Sequence, residues 1–202
     1  MSTSDTVLDA FLTLVGDKGY GDVTLRDVAA AADISLADLY RLHPDKVALV
    51  SAFLARTDAA VLAGTPREAD PEETARDRLF EVMMRRYDAL KPHRAAWRAI
   101  ARAAMRDPLL ALALAPAVRR SVGAMLEAAG LASDGISGAV RQNGLMAIHA
   151  AVSRVFESDD SADLSKTMAA LDGRLKTAER WAQQFEKYRV SRREKVSEPR
   201  PE

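Results

Sequence analysis

The 202-residue chain is 48% hydrophobic, carries 29 basic and 29 acidic residues, and contains no cysteine. That is ample material for a core, and it excludes disulfides, thiolate metal sites and cysteine nucleophiles. Balanced charge excludes a broad electrostatic field for nucleic acid or membranes.

The start, Met1-Ser2-Thr3-Ser4-Asp5, lacks a basic region followed by an apolar core, so no signal peptide is expected and a cytoplasmic location is. A first helix is expected over 3 to 16. It ends at Lys18-Gly19-Tyr20, and the stretch Thr24 to Lys46 then packs two short helical patterns around Ala32-Asp33-Ile34-Ser35. Thr24 and Asp27 form one capping box, with Leu25, Val28 and Ala29 turned inward; Ser35 and Asp38 open the second helix the same way, with Leu36 and Leu39 as apolar contacts. Helices are expected over 24 to 31 and 35 to 42, a helix-turn-helix, followed by one over 44 to 63. Tyr40, Arg41 and His43 fall where the second helix could meet a phosphate backbone.

Past the linker Gly64-Thr65-Pro66, apolar spacing of three to four and prolines at helix starts predict only helices, over 71 to 90, 92 to 106, 108 to 129, 134 to 157 and 161 to 189. The fold class is all-α with nine helices. The first of this group would begin at Asp70-Pro71. The longest apolar run, Pro108 to Val118, is interrupted by Pro116 and falls short of the ~20 residues of a membrane span, so no membrane insertion is expected. Pro116 should kink its helix and open space beside Leu112 and Val118.

Met83, Met84, Tyr87, Trp97, Met105, Leu109, Leu112 and Met125 are large or pliable apolar residues, readable as a pocket for a small apolar ligand or as an ordinary helical core. His149, on an apolar helix, is either a hydrogen-bonded core histidine or a ligand contact. Leu145, Ile148, Val152 and Val155 form one stripe, and Leu164, Met168, Leu171 and Leu175, continued by Phe185, repeat at steps of four and three. These stripes suit a seam with a second copy of the chain, the alternative being an intramolecular core. The end, 190 to 202, reads as a disordered tail. His43, His93 and His149 are far apart with no metal-binding spacing, and no phosphate loop or nucleophile motif occurs; neither an enzyme nor a cofactor is expected.

The residues of the first sixty positions resemble the amino-terminal domain of the TetR family of bacterial regulators: Val7, Leu8, Ala10 and Phe11, the Lys18-Gly19-Tyr20 turn, Thr24, Val28 and Ala29, then Ile34, Ser35, Leu39, Tyr40, Lys46 and Leu49. The resemblance implies a dimeric regulator, mostly repressors in that family. Its recognition helix would enter the major groove of a palindromic operator, and Tyr40 and Lys46 would hold phosphates. On this reading Thr24, Arg26, Ser35, Leu36, Ala37, Asp38, Tyr40, Arg41, His43 and Lys46 form the DNA-binding set. The domains are then 1 to 64 for DNA, 65 to 189 for ligand and dimerisation, and 190 to 202 as tail. Three features depart from the pattern. Residues 1 to 64 hold only Lys18, Arg26, Arg41, Lys46 and Arg56 against nine aspartates, Leu36 occupies a commonly polar position, and Leu42-His43 replaces the aromatic before Pro44. A non-catalytic lipid- or isoprenoid-binding accessory protein, similar to the TetR-like family of ubiquinone biosynthesis, is the alternative.

Overall fold

The computed structural model describes residues 2 to 66, 70 and 72 to 197. Among these the regular elements are helical: α1 (Thr3–Lys18), α2 (Leu25–Ala31), α3 (Leu36–Leu42), α4 (Lys46–Ala63), α5 (Ala75–Leu90), α6 (Arg94–Arg106), α7 (Pro108–Ala128), α8 (Gly135–Phe156) and α9 (Ser165–Ser197). A single 3-10 turn, Lys91–His93, joins α5 to α6.

Local chemistry sets the helix ends. Ser2 and Asp5 form a capping box at α1, Asp45 accepts from the Ala48 amide at 2.7 Å to start α4, and Asp107 caps α7 through the Leu109 and Leu110 amides. Gly19, at φ 93, closes α1 in a conformation that side chains with a Cβ resist.

Two ends differ from expectation. Thr74 and Asp77 cap α5 with bonds of 3.2 and 2.6 Å, so it begins at Ala75; Asp70 only turns the chain, accepting from the Glu72 amide, and Pro71 lies outside the described residues. The Thr74 hydroxyl accepts from the Asp77 amide and donates to its carboxylate, and this cap prevails over the Asp-Pro signal. At the other end α9 continues to Ser197, into the segment expected to be a tail; 198 to 202 lie outside the described residues.

The chain forms two compact units, Met1–Met146 and Ala147–Glu202, the division falling within α8. In the first, α4 packs along α7 and α5, and α1 packs on α6 as well as α2. Val7, Phe11, Val15, Val28, Leu39, Leu49 and Phe53 make the core of its amino-terminal part; Met83, Tyr87, Leu90, Val122, Met125 and Leu126 are buried farther along. In the second unit Val152, Phe156, Leu164, Leu171 and Leu175 are buried.

The α7 helix runs unbroken through Pro116, which lies on its exposed side with Leu112, so the expected space beside Leu112 is bulk solvent. Over its full 21 residues α7 is also long and apolar enough to cross a membrane by length and composition, a property that the shorter run ending at Val118 did not reveal. It packs against α4, α5 and α6 along one side and leaves Leu109 and Leu112 exposed on the other.

Candidate nucleic-acid interface

The helix-turn-helix is built from its caps inward. The Thr24 hydroxyl accepts from the Asp27 amide at 3.2 Å, and the Asp27 carboxylate accepts from the Thr24 amide at 2.8 Å. Ser35 repeats the first half of that exchange with the Asp38 amide at 3.0 Å, and its hydroxyl donates to the Asp38 carboxylate at 2.6 Å. These donors hold the Asp27 and Asp38 carboxyls below the ordinary aspartate range. Between the helices Asp33 takes a left-handed conformation, φ 53, which aspartate tolerates better than branched residues, and the Ile34 amide returns to the Ala29 carbonyl at 3.1 Å. Leu39, fully buried, roots α3 in the core. The outward face is left to Leu36, Ala37, Tyr40 and Arg41, all exposed, Tyr40 by 62%.

The charges are more committed than the sequence suggests. Arg41 pairs with Asp38, and Arg56 donates to Asp9 at 2.7 Å. Lys46 donates to the Tyr20 carbonyl at 2.8 Å and lies 4.4 Å above the Tyr20 ring, half-buried, its pKa lowered by that burial. The Tyr20 turn and the start of α4 are thereby tied together. Thr24 and Arg26 are exposed, and neither Arg26 nor Tyr40 bonds to a described side chain.

His43, expected on the DNA face, is instead buried, with Nε2 3.4 Å from the Ser4 hydroxyl. Its carbonyl-side extended backbone ends α3 and turns the ring back under α1. Burial lowers its pKa, and likewise that of His93, which lies edge-on to Phe53 and near Arg56. Both rings are therefore neutral in the fold at a pH where the unfolded chain protonates, so their contribution is present above about pH 6.5 and is lost as pH falls below it. Thermal unfolding should show a Tm lower at pH 5.5 than at pH 7.5, with a flatter dependence in His43→Gln/His93→Gln.

The other candidates separate by burial. Met83, Tyr87 and Met125 are buried and Met84 and Trp97 half-buried, but Met105, Leu109 and Leu112 are 66%, 78% and 70% exposed. Those three line no interior space: they lie exposed on α6 and α7, and a large apolar side chain does not by type alone say whether it faces the interior. His149 is buried in the second unit, as a core histidine would be. Of the seam residues, Leu145, Val152, Leu164, Leu171 and Leu175 are buried within the chain itself, Ile148 and Val155 are half-buried, and only Met168 is exposed. The stripe is therefore mostly intramolecular core. Ile136, Val140 and Trp181 join Met168 among the large apolar side chains that α8 and α9 leave exposed in the described residues; the side chain of Phe185 lies outside them.

Sequence reading missed a buried polar cluster. Arg86 of α5, 1% exposed, donates through Nη1 to Asp58 of α4 at 2.5 Å, and Ser121 of α7 donates to the same carboxylate oxygen at 2.5 Å. Arg86 stands within Arg85-Arg86 on a charged helix, and nothing in the pattern separates it from a surface arginine.

A capped, outward-facing helix-turn-helix on an all-helical chain defines the class of helix-turn-helix proteins. Residues 7–53 match the model for bacterial regulatory proteins of the tetR family. It is similar to the HTH-type transcriptional repressor KstR of Mycolicibacterium smegmatis, 41% identical over 66 residues, 29% of this chain and 32% of that protein. The matched region thus spans about a third of the curated relative. In fold the chain is similar to a TetR transcriptional regulator from Nitrosomonas europaea, with a TM-score of 0.70 at 22% identity, covering 87% of this chain and 97% of that one. It is also similar to the multidrug binding protein EbrR, with a TM-score of 0.53 at 23% identity, covering 87% and 95%.

Proposed function

We propose that the chain is a dimeric transcriptional repressor that reads a palindromic operator and is released by a small molecule bound among its carboxy-terminal helices. The observation that carries this is the rooted, Ser35-capped α3, which turns Leu36, Ala37, Tyr40 and Arg41 outward while Leu39 fixes its depth. A rigid short helix of this kind fits a major groove about 12 Å wide. Thr24, Arg26, Ser35 and Tyr40 would meet phosphates, and the two remaining N–H bonds of Lys46 would do the same while its third holds Tyr20. Asp38 acts as cap and as the partner of Arg41, and His43 as a support for α1. Base reading would be largely apolar, through Leu36 and Ala37 against thymine methyls.

A two-fold pair of such heads requires half-sites one turn apart, ~34 Å, or a multiple of it. Ile136 and Val140 in the first unit, and separately Met168 in the second, are exposed apolar side chains available for pairing. The relative named as a repressor and the fold relative named as a multidrug binding protein are consistent with operator binding and ligand release.

The alternative, a non-catalytic lipid-binding accessory protein, is favoured by the exposed Met105, Leu109 and Leu112 and by the acidic head. Enrichment of genomic fragments on the purified protein, followed by footprinting, separates the two. The regulator reading predicts a protected two-fold symmetric site; co-purifying lipid with no enriched sequence would replace it with the alternative.

A further inference from the structure

The Arg86 cluster is the least expected polar feature of the first unit. A guanidinium presents two edges to an anion: the Nη1/Nη2 end and the Nε/Nη2 side, and the side edge makes the parallel fork with a carboxylate. Here Asp58 takes Nη1 through one oxygen, and that oxygen is shared with the Ser121 hydroxyl. The Nε–H of Arg86 is buried and has no hydrogen-bond partner. A buried guanidinium held by a single shared oxygen has paid its desolvation without completing its bonds, an arrangement that costs stability unless something else occupies the fork.

The surroundings are apolar. Met83, Tyr87 and Leu90 flank Arg86 on the buried side of α5, Val122 and Met125 follow Ser121 on α7, and α4, α5 and α7 pack on one another. Asp58 retains 14% of its side-chain surface in solvent, so the cluster is reachable from outside.

We propose that the Nε edge of Arg86 is the anchor of an anionic ligand site, and that the ligand is an apolar carboxylic acid whose chain lies among the α5 and α7 side chains. The carboxylate completes the fork, and in doing so competes with Asp58 for the same guanidinium. Asp58 belongs to α4, whose first residue, Lys46, is bound to Tyr20 at the reading head. A ligand that weakens the Asp58–Arg86 pair therefore favours one orientation of α4 over another by its differential contact with the two. The inference deepens the repressor reading and rests on it only for that consequence; the anion site stands or falls without DNA.

The test is calorimetric titration of the full chain, in the absence of DNA, with n-alkanoates of four, eight and twelve carbons and the matched n-alcohols. The expected result is saturable binding of at least one acid, at least tenfold tighter than its alcohol. That preference should fall to less than threefold in Arg86→Lys, which keeps the charge and loses the fork. Asp58→Asn/Arg86→Met, which removes both charges together, guards against misfolding of a single variant and should lose the preference too, with circular dichroism confirming the helical fold. Equal binding of acid and alcohol, an undiminished preference in either folded variant, or no saturable binding of any acid would each overturn the site and leave operator binding unaffected. Failure of the wild-type chain to bind duplex DNA would remove the regulatory consequence alone.

Discussion

Arg86→Leu is expected to lower the unfolding free energy by about 3–5 kcal/mol, the cost of removing one partner from a buried ion pair. The physical reason is what stays behind. Asp58, its side chain 14% exposed, would keep the Ser121 hydroxyl as a donor at 2.5 Å and lose the cation that pairs with it. Removing both charges is a different perturbation: Asp58→Leu/Arg86→Leu leaves no uncompensated charge and should recover most of the loss. Urea unfolding of the three proteins gives the two differences directly. A single-variant loss below 1 kcal/mol would mean that water, rather than Arg86, neutralises Asp58.

Asp159→Ala has the second large effect, about 3–5 kcal/mol on the second unit, since hydrogen bonds to a charged acceptor contribute about 1.5–3 kcal/mol each and a donor left buried costs more. The Asp159 carboxylate is fully buried, and it accepts from the Thr167 amide and hydroxyl at 2.7 Å each, from the Ser161 amide at 3.2 Å and from the Ser161 hydroxyl. It thereby organises the entry to α9, just before Leu164 takes its left-handed turn at φ 56. Burial alone would raise the carboxyl pKa, but the Ser161 and Thr167 donors outweigh it and hold it far below the ordinary range. A depressed folded-state pKa means that the stabilisation is fully present above the unfolded value near 4 and is lost as pH falls beneath it. Hydrogen exchange at the Thr167 amide should therefore accelerate in Asp159→Ala at neutral pH, and in the wild-type chain only in strong acid. Unchanged protection in the variant would show that the α9 entry is held by its apolar contacts.

These two residues also show where the sequence stops being legible. The caps of the reading head were readable because Thr24-x-x-Asp27 and Ser35-x-x-Asp38 are local, and local hydrogen bonds form wherever the spacing allows. The helical ends followed for the same reason, to within a few residues at most junctions. Asp159 and Arg86 are defined by neighbours distant in sequence or by burial, and charged residues in a charged chain give no periodic sign of it. The same limit governs Met105, Leu109 and Leu112: their large or pliable apolar side chains suited a pocket or a core, and residue type alone does not say which ones face solvent. The stripes of α8 and α9 carry the same ambiguity: Leu145, Val152, Leu164, Leu171 and Leu175 are buried within one chain, while Ile148, Val155 and Met168 keep exposed surface. At the head, Tyr40 was readable as exposed by its place on α3, whereas the commitment of Lys46 to Tyr20 and the burial of His43 needed the meeting of α1, α3 and α4.

The acidity of the head sets a quantitative expectation for DNA. With most of its few cations occupied internally, each head can offer only about three phosphate contacts, or about six for a pair. Binding should then weaken about 10³-fold between ~50 and ~200 mM salt, with removal of one cationic contact reducing the slope by about one. Fluorescence-anisotropy titration of the purified chain against duplex DNA from its own upstream region, at those two salt concentrations, is the most direct test. Salt-sensitive binding that is lost in Tyr40→Ala/Lys46→Ala agrees with a regulator; no binding at either concentration, or binding indifferent to both substitutions, contradicts it.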